Sequence, residues 1–219
     1  MQLNTVIFDM DGLLIDSEPL WNEAANEVFR MYGHSLSEEQ YNTTTGLRTK
    51  EFVQWWFHKF NIGGAEYVRA EKLIFEKVMQ KVEAKGKIMP GVHHIFRFFI
   101  ERDFKIGIAS SSPQSLIDLV IKICGVGKYV NGTATAEHLL HGKPHPQVYL
   151  DCAAALNSSP LDCLCFEDSF PGMIAAKAAR MKCVIVPHHS QIKDERWAAA
   201  DLKLSSLQNF GMLHLNLLQ

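Results

Sequence analysis

The chain has 219 residues, 47% of them hydrophobic, so it can bury a sizeable core and is not a disordered chain. Its 22 Lys and Arg against 24 Asp and Glu leave a net charge of -2, which excludes a basic field able to attract nucleic acid or anionic lipid. Any affinity for a small anion must come from local groups.

The opening Met1-Gln2-Leu3-Asn4 carries no basic stretch, and no run approaches the roughly 18 apolar residues of a membrane helix. A soluble cytoplasmic protein is expected. Thr5-Val6-Ile7-Phe8 is a β-branched and aromatic run too short for a helix, and it stops at Asp9-Met10-Asp11-Gly12. It predicts a buried strand. From about Glu18 to Lys85 the pattern turns helical, through Trp21 to Tyr32, Glu51 to Phe60 and Ala65 to Lys85, with no convincing strand. This predicts an all-helical insertion that returns at the turn-forming Met89-Pro90-Gly91.

Beyond the turn, Ile95, Phe98 and Phe99 predict a helix, and Lys105 to Ala109 a second strand ending at Ser110-Ser111-Ser112. Leu116, Leu119, Val120 and Ile123 mark another helix, as do Val148, Ala153 and Leu156. A third strand, Leu164-Cys165-Phe166, ends at Glu167-Asp168-Ser169. Met173, Ala176 and Ala179 follow at helical spacing, and Cys183 to Val186 makes a fourth strand ending at Pro187. Alternating strands and helices predict an α/β fold with a parallel sheet covered on both faces. Ligands bind such a sheet beyond the carboxyl ends of its strands, so Asp9, Asp11, Ser110, Glu167 and Asp168 are expected to share one pocket.

The cysteines, Cys124, Cys152, Cys163, Cys165 and Cys183, are odd in number and lack metal-ligand spacing. They read as reduced core thiols. The paired carboxylates are different: together with Glu167 and Asp168 they make a strongly negative pocket that a hard divalent ion, most simply magnesium, would neutralise. Helix N-caps are the competing explanation, which covers Ser169 well and Asp9 poorly. Asp9 could attack phosphorus as a carboxylate nucleophile. Asp11 could act as acid and then base. Asp168 would hold the metal, and Glu167 is a ligand or the partner of one. Ser110 and Ser111, with backbone N–H groups at a helix start, could bind a phosphoryl oxygen. Lys143, in Gly142-Lys143-Pro144-His145-Pro146, is the best cation for the others. His145 reads as a loop hydrogen-bonder, and the His93-His94 and His188-His189 pairs have no clear role.

These motifs resemble the haloacid dehalogenase superfamily along the whole chain. Asp9 to Glu18 looks like its first motif, Ile108-Ala109-Ser110 the second, Lys143 to Pro146 the third, and Phe166 to Ser169 with Gly172 the fourth. The resemblance implies a Rossmann-like core of residues 1–16 and 86–219 and a helical cap of 17–85. It also implies a magnesium ion held by Asp9, the backbone carbonyl of Asp11, and Asp168. Within the superfamily the chain is similar to the β-phosphoglucomutase-like subgroup, and there to bacterial hexitol phosphatases, also described as 2-deoxyglucose-6-phosphate phosphatases. Asp16 to Trp21, Gly46-Leu47-Arg48 and Lys143 to Ala154 carry that likeness. A small phosphate ester is the implied partner, and nothing demands more than a monomer. Arg48 matches a cap arginine that reaches substrate in related mutases, with an ordinary surface charge as the alternative. Trp21 and Trp55 read as cap core. A phosphosugar mutase is the nearest rival, but mutases of that type carry a histidine where Trp21 stands and lack Glu18-Pro19. A dehalogenase would need neither magnesium nor Asp11, and a phosphate-accepting receiver domain would lack the cap.

Overall fold

A computed structural model describes residues 3–219; Met1 and Gln2, part of the leader reading above, lie outside the described residues. Six parallel strands form one sheet: β1 (Thr5–Phe8), β2 (Lys105–Ser110), β3 (Gly132–Thr135), β4 (Cys163–Glu167), β5 (Lys182–Ile185) and β6 (Leu202–Lys203). Their spatial order is β3-β2-β1-β4-β5-β6. The four predicted strands are present; β3 and β6 are additional. Both lie at sheet edges and lack an apolar run: Gly-Thr-Ala-Thr is only half-buried, and Leu-Lys is too short to show a pattern.

Side-chain alternation divides the core into two layers. Val6, Phe8, Ile106, Ile108, Leu164 and Phe166 face α5 (Val92–Ile100) and α6 (Gln114–Cys124). Ile7, Ala109, Cys163, Cys165 and Cys183 face α7 (Gln147–Ala155) and α8 (Phe170–Ala178). Because successive strand residues point to opposite faces, burial on both sides requires the continuous apolar runs seen in the central strands. Phe8 stacks on Phe96 and Phe166 at 5.1 and 5.2 Å, which locks β1 between β4 and α5. All five cysteines are free and buried, as expected.

Between β1 and α5 the chain is helical: α1 (Glu18–Arg30), α2 (Glu38–Asn42), α3 (Thr49–Lys59) and α4 (Tyr67–Lys85). This is the inserted cap. Helices α1 and α3 pack on α4, burying Val28, Phe29, Phe57, Ile74 and Val78. Helix α2 was not predicted, since five residues cannot show a helical period; the Ser37–Gln40 capping box holds it. The two crossings between cap and core run side by side, Asp16 N donating to Lys87 O at 2.8 Å and Met89 N to Leu14 O at 3.0 Å. A last helix, α9 (Met212–Leu218), closes the chain. Among the described residues no helix is long and apolar enough to cross a membrane.

Candidate active site

The register sets the site. Phe8 pairs with Ile108 and with Phe166, so the residues that follow, Asp9, Ala109 and Glu167, stand at one level at the carboxyl end of the sheet. Strand β1 lies between β2 and β4, whose connections run to opposite sides, and its carboxyl end opens at this reversal. Asp9, Asp11, Ser110, Ser111, Lys143 and Asp168 all line one cavity there, and the cap closes it with Glu18, Trp21, Tyr41, Thr44 and Thr45.

Lys143 is buried, and its ammonium is paired with Asp9 and, at 2.6 Å, with Glu167. Burial works against its charge, but the two carboxylates outweigh that and hold the lysine well above the usual ammonium range. Burial pushes the Asp9 carboxyl upward, and Lys143 opposes the shift. Burial prevails and leaves the Asp9 carboxyl raised to about 8, with the protonated Lys143 as the counter-charge that limits the rise.

Glu167 is completely buried and fully engaged. One oxygen accepts from Lys143 and from the Tyr149 hydroxyl, each at 2.6 Å. The other accepts from Asp168 N at 3.0 Å, Ser169 N at 2.9 Å and the Ser169 hydroxyl at 3.0 Å. Although burial acts to raise it, Lys143 and these donors hold Glu167 below the ordinary carboxylate range. A side chain at Gly172 would run into this carboxylate, so α8 can start here only on glycine. Ser169 caps α8, accepting from Gly172 N at 3.1 Å, as the capping explanation required.

Asp168 has a different environment. Burial, with Glu167, Asp9 and Glu18 nearby, pushes its carboxyl well above the usual range. Carboxylate oxygens of Asp9, Glu167 and Asp168 lie within 4.8 Å of one another. Three hard oxygen donors, one of them strongly destabilised as an anion, suit a divalent cation such as magnesium. Both Glu167 oxygens already hold donors, so of the three carboxylates it is the one that also fixes Lys143 and the start of α8. Gly12, at φ +76°, lets the chain pass where any side chain would collide with Asp168.

The Asp11 carboxylate stands outside this cluster and is held by hydroxyl and indole donors. Ser17 Oγ and Trp21 Nε1 donate to one oxygen at 2.7 and 2.9 Å. Ser112 Oγ and Ser110 Oγ donate to the other at 2.7 and 3.4 Å. Ser111 instead reaches the cap, its hydroxyl donating to Gly46 O at 3.1 Å.

Four placements differ from expectation. Arg48 does not line the cavity: its guanidinium donates to the carbonyls of Ala136 (3.2 Å), Leu139 and Leu140 (3.3 Å) and pairs with Glu51, which also accepts from Gly142 N. It ties the cap to the loop that carries Lys143. Trp21 is not only cap core, because it meets Asp11, and Trp55 is 51% exposed rather than core. Glu18 stands in the sequence only as the end of the first motif, yet it lines the cavity beside Tyr41. Burial and then Asp11 push it up to about 7, with the Tyr41 hydroxyl opposing. Its position after Asp-Ser, ahead of a helix, was the available signal.

A family model described as haloacid dehalogenase-like hydrolase matches residues 6–186. The chain belongs to that family. Among curated relatives of this haloacid dehalogenase-like hydrolase, hexitol phosphatase B of Escherichia coli (strain K12) is 40% identical over 94% of this chain and 93% of its own. Phosphorylated carbohydrates phosphatase of Thermotoga maritima is 29% identical over 86% of this chain and 87% of its own. The fold is shared with β-phosphoglucomutase of Clostridium difficile at a TM-score of 0.87 and 22% identity, covering 98% of this chain and 96% of that one. The hydrolase thus carries a Rossmann-like core with a helical cap, as the motifs implied.

Proposed function

We propose that this chain is a magnesium-dependent phosphatase that hydrolyses sugar or hexitol phosphates through an aspartyl-phosphate on Asp9. Its class, a phosphoric monoester hydrolase, follows from the family and from relatives named as phosphatases. The observation that carries the finer reading is the placement of Asp9, buried at the end of β1 between the Lys143 ammonium and the Asp168 carboxylate.

In the first step an Asp9 oxygen attacks phosphorus, and the bond from phosphorus to the ester oxygen breaks with its electron pair going to that oxygen. Asp11 delivers a proton there, and the alcohol leaves. In the second step Asp11 takes a proton from water as its oxygen attacks phosphorus. The bond to Asp9 then breaks, the carboxylate is regenerated, and phosphate departs. Lys143, the Ser110 hydroxyl and the backbone N–H of Ser111 would face the phosphoryl oxygens, while the N–H of Ser112 donates to Ser110 Oγ at 3.0 Å. Asp9, Asp168 and the backbone carbonyl of Asp11 would hold the magnesium, which would shield the charge between nucleophile and phosphoryl group.

Core and cap are assigned to residues 1–16 with 86–219 and to 17–85. The cavity measures only about 60 Å³, far below the roughly 300 Å³ at which small-molecule sites begin, so substrate is admitted when the cap swings away. A groove of about 1110 Å³ between cap and core meets the cavity at Glu18, Tyr41, Thr45 and Asp168 and offers the approach. The hydroxyls of Thr45 and Thr49 with the Glu18 carboxyl make a cap lining suited to a polyhydroxylated ester, while the Thr44 hydroxyl is held by Tyr41 O and Trp56 Nε1 at 3.0 Å each.

Phosphate release from hexitol and sugar monophosphates, with magnesium and with EDTA, tests this reading. Asp9→Asn is expected to abolish release while keeping the native circular dichroism; substantial residual turnover would mean another nucleophile. Isomerisation of glucose 1-phosphate without phosphate release would assign the phosphosugar mutase instead.

A further inference from the structure

Asp11 is a carboxylate with donors on both oxygens, and those donors are not equivalent. The hydroxyls of Ser17, Ser110 and Ser112 can rotate, so each can donate to the carboxylate or accept from the carboxylic acid. The indole N–H of Trp21 can only donate, and no pH change alters that. It sits 2.9 Å from Asp11 Oδ1. A proton on Oδ1 would have to compete with this fixed N–H, whereas Oδ2 meets only hydroxyls, at 2.7 Å from Ser112 and 3.4 Å from Ser110.

Resting on the phosphatase reading above, we propose that Trp21 is a positioning residue that decides which oxygen of Asp11 carries the transferable proton. It reserves Oδ1 as an acceptor and leaves the proton on Oδ2, the oxygen turned toward the Ser110 end of β2. From there the proton passes to the ester oxygen as the bond from phosphorus to that oxygen breaks; in the return step Oδ2 receives the proton of the attacking water. Trp21 lies in the first turn of α1, which belongs to the cap, while Ser110 and Ser112 belong to the core. The acid is therefore arranged only when α1 lies against the core, with substrate enclosed.

The test is the variant Trp21→Phe, which keeps an aromatic ring and loses the N–H, assayed on two esters. Glucitol 6-phosphate has an alkoxide leaving group that needs the proton; p-nitrophenyl phosphate releases a stable phenolate that does not. The expected result is a kcat/KM on glucitol 6-phosphate, which reports the steps up to alcohol release, lower by about 10- to 100-fold, within the range that general-acid catalysis supplies. On p-nitrophenyl phosphate the loss in kcat/KM should stay within about 3-fold, and the substitution should cost nothing further in an Asp11→Asn background. Benzothienylalanine at position 21, which preserves the bicyclic shape without the N–H, is held to the same split if the phenylalanine variant folds poorly. Equal losses in kcat/KM on both esters, or no loss on either, would overturn the assignment to Trp21 alone. A wild-type protein that hydrolyses neither ester would overturn the phosphatase reading with it.

Discussion

At the end of β1 one ammonium, Lys143, stands between the carboxylates of Asp9 and Glu167 with almost no water around the three. Removing one partner of a buried ion pair leaves a charge with neither solvent nor counter-ion, at a cost of roughly 3–5 kcal/mol. Lys143→Met is accordingly expected to lower the urea unfolding free energy by about that amount and to abolish turnover. Magnesium should restore part of the stability, since it supplies another counter-charge to Asp9; an unchanged unfolding midpoint would contradict the charge balance described here. The residue types at this site were readable from their positions after predicted strands. Their partners were not: that Glu167 is consumed by five donors, and that Asp11 is held by Ser17, Trp21 and Ser112, depends on side-chain directions that spacing leaves open.

Among the elements, α1 and α4 carry the cap, and a charged seam joins them. Lys77 and Lys81 donate to Glu27 at 2.6 and 2.7 Å, and Lys81 also meets Glu23 at 2.7 Å. These lysine hydrogen bonds draw Glu27 down from its ordinary 4.5 to about 2. A depressed carboxylate stabilises the fold above its unfolded value and loses that contribution as pH falls from about 4.5 through about 2. The seam is partly open to solvent, so Glu27→Gln should cost about 1 kcal/mol or less near neutral pH. The difference from wild type should shrink below pH 4.5 and in high salt; a constant difference across that range would show that the ion pairs contribute nothing. The helices on either side of this seam were legible from their period. Strands β3 and β6 and helix α2 were not, because edge position and brevity remove the apolar pattern on which such reading depends.

For the molecule as a whole, the proposed turnover calls for cap movement because the cavity is small, and Arg48 is a polar tie between the cap and the loop that carries Lys143. Its fork serves three core carbonyls and Glu51 together, which a lysine could not replace. In Arg48→Ala, trypsin is expected to cut at Lys85 and Lys87, on the second crossing, on the order of 3-fold faster than in wild type, because local opening controls cleavage. Orthovanadate with magnesium should slow the cut in both proteins; cleavage indifferent to the substitution and to vanadate would count against the moving cap. By itself the sequence determined the alternation of strands and helices, the helical insertion, and the acidic residues gathered at one sheet edge, since each rests on local periodicity or on the rule that strand ends share an edge. Only the tertiary structure decided that Arg48 clamps rather than lines the cavity, that Trp21 reaches Asp11, and that Glu18 faces the site. Those outcomes depend on how the cap docks on the core, a contact between surfaces whose relative orientation no spacing along the chain encodes.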